Sequence, residues 1–124
     1  MPVGFFILSK CLISDWSGVS LEYAFTFERP VTLIDIPKKI LNPDLGDISI
    51  EPINVSIRDK IGHVISPNNL EKIPEIIKNI KNDNSMSEQI RKIRSETVYN
   101  IGNSVKIGSE IIEKMYNEAN KLNS

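Results

Sequence analysis

The stretch Leu12-Ile13-Ser14-Asp15-Trp16-Ser17-Gly18-Val19-Ser20-Leu21-Glu22-Tyr23-Ala24-Phe25 decides the reading of the fold. Its start belongs to an apolar run from Cys11 to Ser14 that reads as a buried strand ending at Asp15. From Gly18 to Phe27, the residues Val19, Leu21, Tyr23, Ala24 and Phe25 supply apolar surface for a helix covered on more than one side. A second, β-branched run from Val31 to Ile36 lies between Pro30 and Pro37 and reads as another buried strand. Strand, helix, strand is a βαβ unit, in which the strands run parallel and the crossover is right-handed. The expected class is therefore α/β, a partial Rossmann-like domain built on a small parallel sheet with helices.

Working outward, Pro37, Pro43, Gly46 and Pro52 exclude a long helix and predict an ordered loop. Asn54 to Lys60 reads as a short helical turn, and His63 to Ser66 as a third strand entered after Gly62. The remainder is helical. Leu70, Ile73, Ile76, Ile77 and Ile80 recur at helix spacing, with Pro74 near the regular start. Met86, Ile90, Ile93, Val98 and Ile101 mark a second helix with Gly102 as its stop. Ser104 is placed to cap a third, whose Ile107, Ile111, Ile112, Met115, Ala119 and Leu122 form another stripe. One partial domain is expected over 1–124, with a βαβ core over about 1–82 and C-terminal helices over about 85–122.

Composition narrows the function classes. Fifteen Lys and Arg against sixteen Asp and Glu give a net charge of -1, so no global field draws the chain to nucleic acid or anionic lipid. Cys11 is the one cysteine, which excludes a disulfide framework or a cysteine-based zinc site within the chain and fits a reducing, cytoplasmic setting. Met1 to Leu8 is apolar but lacks a basic segment, and Lys10 and Asp15 interrupt it before a membrane span forms. No secretion signal or spanning helix is expected. His63, the one histidine, has no partner motif beside it and reads as structural.

Chemistry is expected where the first strand hands over to its helix. Ligands of open α/β sheets collect at the carboxyl ends of the strands. There the first helical turn leaves N–H groups unpaired, and the dipole adds roughly half a positive charge, so a phosphate is favoured. Gly18 lets an anion approach the backbone, and Ser17 and Ser20 offer hydroxyls. Ser17 reads equally well as an ordinary cap, Asp15 as the end of the turn, and Trp16 as a packing residue with its indole N–H bonded locally. Glu22, two helical turns beyond Asp15, is a candidate for ribose hydroxyls or simply a solvated glutamate.

The string from Leu12 to Phe25 resembles the C-terminal donor-binding region of bacterial CDP-glycerol glycerophosphotransferases, in which a Thr-Asp-Tyr-Ser-Ser-like turn leads through a helix to Arg-Pro and a strand. Arg29, Pro30, Val31, Thr32, Leu33, Ile34 and Asp35 supply that continuation. The similarity runs on through Pro37, Lys38, Lys39, Ile40, Asn42 and Pro43, then Val55, Ser56, Ile57, Arg58 and Gly62, and ends with Tyr99, Asn100, Gly102, Asn103 and Ser104. No single piece is specific; their order and spacing are. Ser14 stands for the usual Thr, Trp16 for Tyr and Gly18 for the second Ser, and the last change removes a hydroxyl.

The resemblance implies the C-terminal half of a B-type glycosyltransferase fold, holding a nucleotide-activated donor such as CDP-glycerol for transfer of glycerol phosphate to a teichoic acid or capsule-type polymer. It would place Asp15, Ser17 and Gly18 near the donor pyrophosphate, with Lys38, Lys39 and Arg58 neutralising the diphosphate as CMP departs from it. Lys38 and Lys39 also read as plain surface lysines, and Arg58 as an ion-pair partner of Glu51 or Asp59. The family's catalytic histidines precede the matched region, so no catalytic residue, metal or cofactor is expected here. The expected partner is a missing N-terminal half or a second copy, and contact with the inner face of the membrane would come through those parts. Without them the chain should be marginally stable or self-associating, through a strand edge and partly exposed apolar faces of the last two helices. Two other readings stay open: part of a nucleotide-sugar glycosyltransferase or UDP-N-acetylglucosamine 2-epimerase-like enzyme, and a non-catalytic interaction module. The epimerase pattern of Ser-Gly-Gly and Glu-Glu is not reproduced by Ser17, Gly18 and Glu22.

Overall fold

Parallel strands need a crossover connection, and this chain supplies two of them around a central strand. The structure, a computed structural model, describes residues 3–38, 50–82 and 84–122. Elements follow in the order α1 (Val3–Leu8), β1 (Leu12–Ser14), α2 (Val19–Phe27), β2 (Val31–Ile34), α3 (Ile53–Ser56), α4 (Arg58–Ile61) and β3 (Gly62–Ile65). A 3-10 segment (Pro67–Lys72) then leads to α5 (Ile73–Asn82), α6 (Ser85–Thr97) and α7 (Ser104–Leu122). The three strands form one parallel sheet in the order β1-β2-β3, with Leu12 opposite Val31 and Val31 opposite Gly62.

Both crossovers step the same way across the sheet. With the usual right-handed connection, that brings α2 and α4 to one face. The core agrees: Val31 and Leu33, which alternation directs to a single face, cluster with Tyr23 and Ala24 of α2, Ile57, Ile61 of α4 and Ile90 of α6. Central β2 is the most enclosed strand, with Val31, Thr32 and Leu33 all buried, while the edge residues Ile13 and Val64 are exposed. Gly62 is obligatory for β2–β3 pairing, because a Cβ there would lie 1.7 Å from the Val31 carbonyl oxygen.

The sequence offered no helix before Lys10, yet Val3–Leu8 is helical. Its residue Phe6 packs against Tyr23 and Phe27, with ring centroids 5.7 and 6.3 Å away, and Tyr23 and Phe27 lie 5.3 Å apart. Such ring pairs contribute about 0.5–1.5 kcal/mol each beyond their burial. Tertiary packing, more than propensity, therefore holds a helix of six residues. Arg29 completes it: its guanidinium donates to the carbonyls of Phe6, Ile7 and Ser9, which a helix C-terminus leaves unpaired.

The described residues divide into two compact units, Met1–Ile93 and Arg94–Ser124, and the division falls inside α6. In the first, Ile90 is fully buried with Met86 and Ile93 packed beside it, so this part of the α6 apolar face is core. In the second, α6 ends at Thr97, earlier than the Gly102 stop expected from the sequence, and Val98 and Ile101 lie in the following turn. Gly102 and Asn100 take positive φ there, at 80° and 55°. Helix α7 starts at Ser104 and carries the i,i+4 ion pairs Lys106–Glu110 and Lys114–Glu118. No helix among the described residues is long and apolar enough to cross a membrane.

Candidate functional site

Asp15 and Asp35 follow the last residues of β1 and β2 directly, so both stand at the carboxyl end of the sheet. Arg58, the first residue of α4, reaches both. Its guanidinium donates to the Asp15 carbonyl at 3.4 Å and lies 3.5 Å from Asp35 Oδ1. The ion pair forms with Asp35, and neither Glu51 nor Asp59, the partners suggested by the sequence, is the one engaged. The guanidinium also stacks on the Trp16 ring, 3.7 Å from its centroid. Trp16 is anchored in turn, because its indole N–H donates to the Ile36 carbonyl at 2.7 Å. That bond joins the turn after β1 to the segment after β2, so the partner is distant in sequence.

Lys38 belongs to the same neighbourhood, with its Nζ 5.6 Å from the Trp16 ring centroid. Two cations thus lie near one indole, each attracted by the ring's negative face. Lys39 lies outside the described residues. Arg58 is buried, its side chain only 10% exposed, whereas the Asp35 side chain is 55% exposed. Among the described residues, this buried guanidinium with five donors meets only two oxygens, both at the long end of hydrogen-bond distance.

The turn before α2 is largely self-satisfied. Asp15 Oδ1 accepts the Ser17 N–H at 3.1 Å, and Ser17 Oγ accepts the Val19 N–H at 3.4 Å. Ser20 and Leu21 donate their N–H groups to the Ser17 and Gly18 carbonyls. Among the described residues, no acceptor meets the Gly18 N–H. The Asp15 carboxylate therefore occupies part of the position expected for an external anion. Ser17 is exposed and acts as a hydrogen-bond acceptor, which leaves its own O–H available to donate.

Ser20 differs. It is 5% exposed, and its Oγ has no hydrogen-bond partner among the described residues. It lines a cavity of about 20 Å³ together with Asp15, Trp16, Ser17 and Arg58. The structure thus brings Asp15, Ser17, Ser20 and Arg58 together beside the N-terminus of α2, with Gly18 within that turn and Lys38 near the Trp16 ring. Glu22 is exposed on α2 and does not line this cavity.

Sequence reasoning missed the Asp35 carboxylate and the stacking of Arg58 on Trp16. The Arg58–Trp16 contact spans 42 positions, so no local spacing signals it. The run Leu33-Ile34-Asp35 did carry a hint, since a carboxylate directly after a buried strand stands at the ligand end of a parallel sheet.

A larger cleft, about 450 Å³, opens at the amino end of the sheet between Lys10, Glu28, Arg29, Lys81, Glu88 and Arg91. Arg91 Nε donates to Glu28 Oε2 at 2.8 Å, and Arg29 is engaged by the α1 carbonyls. Among the described residues there is no group of three or more His, Cys, Asp or Glu placed to hold a metal ion. His63 lies half-buried on β3. Neither a protein-family model, a curated protein nor a solved structure matches the chain.

Proposed function

We propose that the chain is the donor-binding C-terminal part of a CDP-glycerol glycerophosphotransferase-like enzyme of the B-type glycosyltransferase fold. The observation that carries this reading is the convergence of the α2 N-terminus and the under-satisfied Arg58 guanidinium at the carboxyl ends of β1 and β2. A nucleotide diphosphate offers the charge and acceptors both groups require. Ordered resemblance from Leu12 to Ser104 supplies the choice of family.

In the reaction of that family, an acceptor hydroxyl oxygen attacks the β-phosphorus of CDP-glycerol. A new P–O bond forms to the acceptor, the bond to the bridging oxygen breaks, and CMP leaves with that oxygen. The acceptor proton passes to a base on the part of the enzyme that precedes the matched region. This chain's contribution is to hold the donor: the Gly18 N–H and the Ser17 hydroxyl meet phosphate oxygens, and Arg58 with Lys38 offsets charge on the departing phosphate. The work of the whole enzyme would need the N-terminal half, at the inner face of the membrane where the polymer acceptor is built.

Calorimetric titration of the full chain with CDP-glycerol, CMP and UDP-sugars tests the reading. Binding of CDP-glycerol or CMP should weaken about fivefold in Ser17→Ala, the loss expected of roughly one hydrogen bond. In Asp15→Ala the competing carboxylate is removed along with its turn, so a change in either direction reports contact with the ligand. A preference for UDP-sugars would move the assignment to a nucleotide-sugar enzyme. No nucleotide binding at all would leave an interaction module, for which α7 offers a stripe of exposed Ile112, Met115 and Tyr116.

A further inference from the structure

We infer that the cavity beside Ser20 is a subsite for one non-bridging phosphoryl oxygen, with Ser20 and Arg58 as its hydrogen-bond donors. It deepens the donor-binding reading and rests on it for the remainder of the ligand. Buried hydroxyls in native proteins are almost always hydrogen-bonded, and one that is not has a function or a missing partner behind it. Ser20 Oγ is the one such side-chain atom among the described residues. A serine deep in a helix can bond back to the carbonyl four residues earlier, but Ser20 is the second residue of α2 and has no helical carbonyl behind it. Its hydroxyl therefore needs a partner from outside the helix, and it lines the cavity.

The second observation is a charged group in the same lining. Among apolar neighbours Leu21, Leu33, Ile57 and Ile61, Arg58 lines the cavity with a buried guanidinium whose two hydrogen bonds are 3.4 and 3.5 Å long. A hydroxyl donor, an under-satisfied guanidinium and the amino end of a nine-residue helix favour an anionic acceptor over a cation or a neutral group. Size selects further. At about 20 Å³ the cavity exceeds the roughly 10–15 Å³ that one water-sized group needs. It is far too small for a nucleobase or a sugar, so a single oxygen enters while its phosphorus stays outside.

The test compares the wild-type chain with Ser20→Ala and Arg58→Met, using inorganic pyrophosphate, CDP and CMP as probes. Ser20→Ala removes an unpaired buried hydroxyl, so the ligand-free protein should melt a few degrees higher, about 2–5 °C. Its affinity for pyrophosphate and CDP should nevertheless fall about fivefold. Higher stability with weaker binding is a pair of changes that a purely structural serine would not produce. Arg58→Met keeps the packing on Trp16 and should weaken pyrophosphate tenfold or more, on the order of a charge-assisted bond. If Ser20→Ala binds all three probes as wild type does, the cavity holds an ordered water only and the subsite is wrong, whether or not nucleotides bind. Binding of pyrophosphate without any nucleotide, lost in Ser20→Ala, would keep the subsite and sink the donor assignment. No binding of any probe would overturn both.

Discussion

The two ends of the sheet carry similar residues and use them in opposite ways. At the amino end, a cleft of about 450 Å³ is walled by four cations and two glutamates, yet its arginines are engaged: Arg29 on the Phe6, Ile7 and Ser9 carbonyls and Arg91 on Glu28. At the carboxyl end the cavity is only about 20 Å³, but among the described residues Arg58 has two long bonds and the Ser20 hydroxyl has none. Volume and unmet hydrogen-bond capacity point in opposite directions. Capacity is the better guide to a ligand, because an unpaired buried group costs stability that binding would recover. The wide cleft is a seam between α2, α5 and α6 in which charges already serve the fold.

The severest way to break this contrast is to remove the sheet that both ends share. In Gly62→Ala the new Cβ would meet backbone at 1.7 Å, so β3 must leave β2. A loss of about 4 kcal/mol or more is expected, as for other backbone clashes in a core, and urea denaturation with circular dichroism should find the variant largely unfolded. A midpoint within a few tenths molar of wild type would show that the β2–β3 register differs.

Arg29→Met is aimed at the amino end alone. It leaves the Phe6, Ile7 and Ser9 carbonyls without their cation, and a cost of about 2 kcal/mol follows from losing a set of charge-assisted bonds at a partly exposed site. Nucleotide and pyrophosphate affinities should stay within twofold, measured by calorimetry at a temperature where the variant is folded. A large loss of affinity at unchanged stability would move the ligand to the wide cleft.

The smallest effect concerns Cys11, which precedes β1 at the amino end. Burial raises its thiol above the ordinary 9.0, partly opposed by hydrogen bonds with Thr32. The folded state therefore favours the protonated form. Its contribution is complete below pH 9.0 and is lost as pH rises from there through the folded value, because the unfolded thiol ionises first. Stability measured between pH 8 and 10.5 should fall less steeply in Cys11→Ala than in wild type. Equal slopes would mean that the thiol is more solvated than its enclosed position indicates.

Much of the architecture was legible because it follows from local pattern. Apolar and β-branched runs bounded by Asp, Gly and Pro marked β1, β2 and β3 to within one or two residues, and helix spacing marked α2, α5, α6 and α7. Errors came where tertiary contacts override local signals. Six residues at the start became α1 because Phe6 meets two rings and Arg29 meets its end. Helix α6 stopped at Thr97, ahead of the Gly102 signal, as Asn100 and Gly102 turned into left-handed backbone. Of the loop expected from Pro37 to Pro52, residues 39–49 lie outside the described residues.

For the candidate site, the residues Asp15 to Ser20 could be read from the strand-to-helix junction, since spacing along the chain alone puts them at a helix start. Their roles could not. Whether a serine or arginine has a partner depends on which groups the fold brings near it from elsewhere in the chain. Asp35, 20 positions from Asp15, takes the Arg58 ion pair, and the Ile36 carbonyl takes the Trp16 indole. Residue order thus set the strands, the helices and the junction, through forces acting over a few positions. The three-dimensional packing set which polar groups were satisfied and which were left short, because hydrogen bonds and stacking depend on distances that sequence separation does not encode.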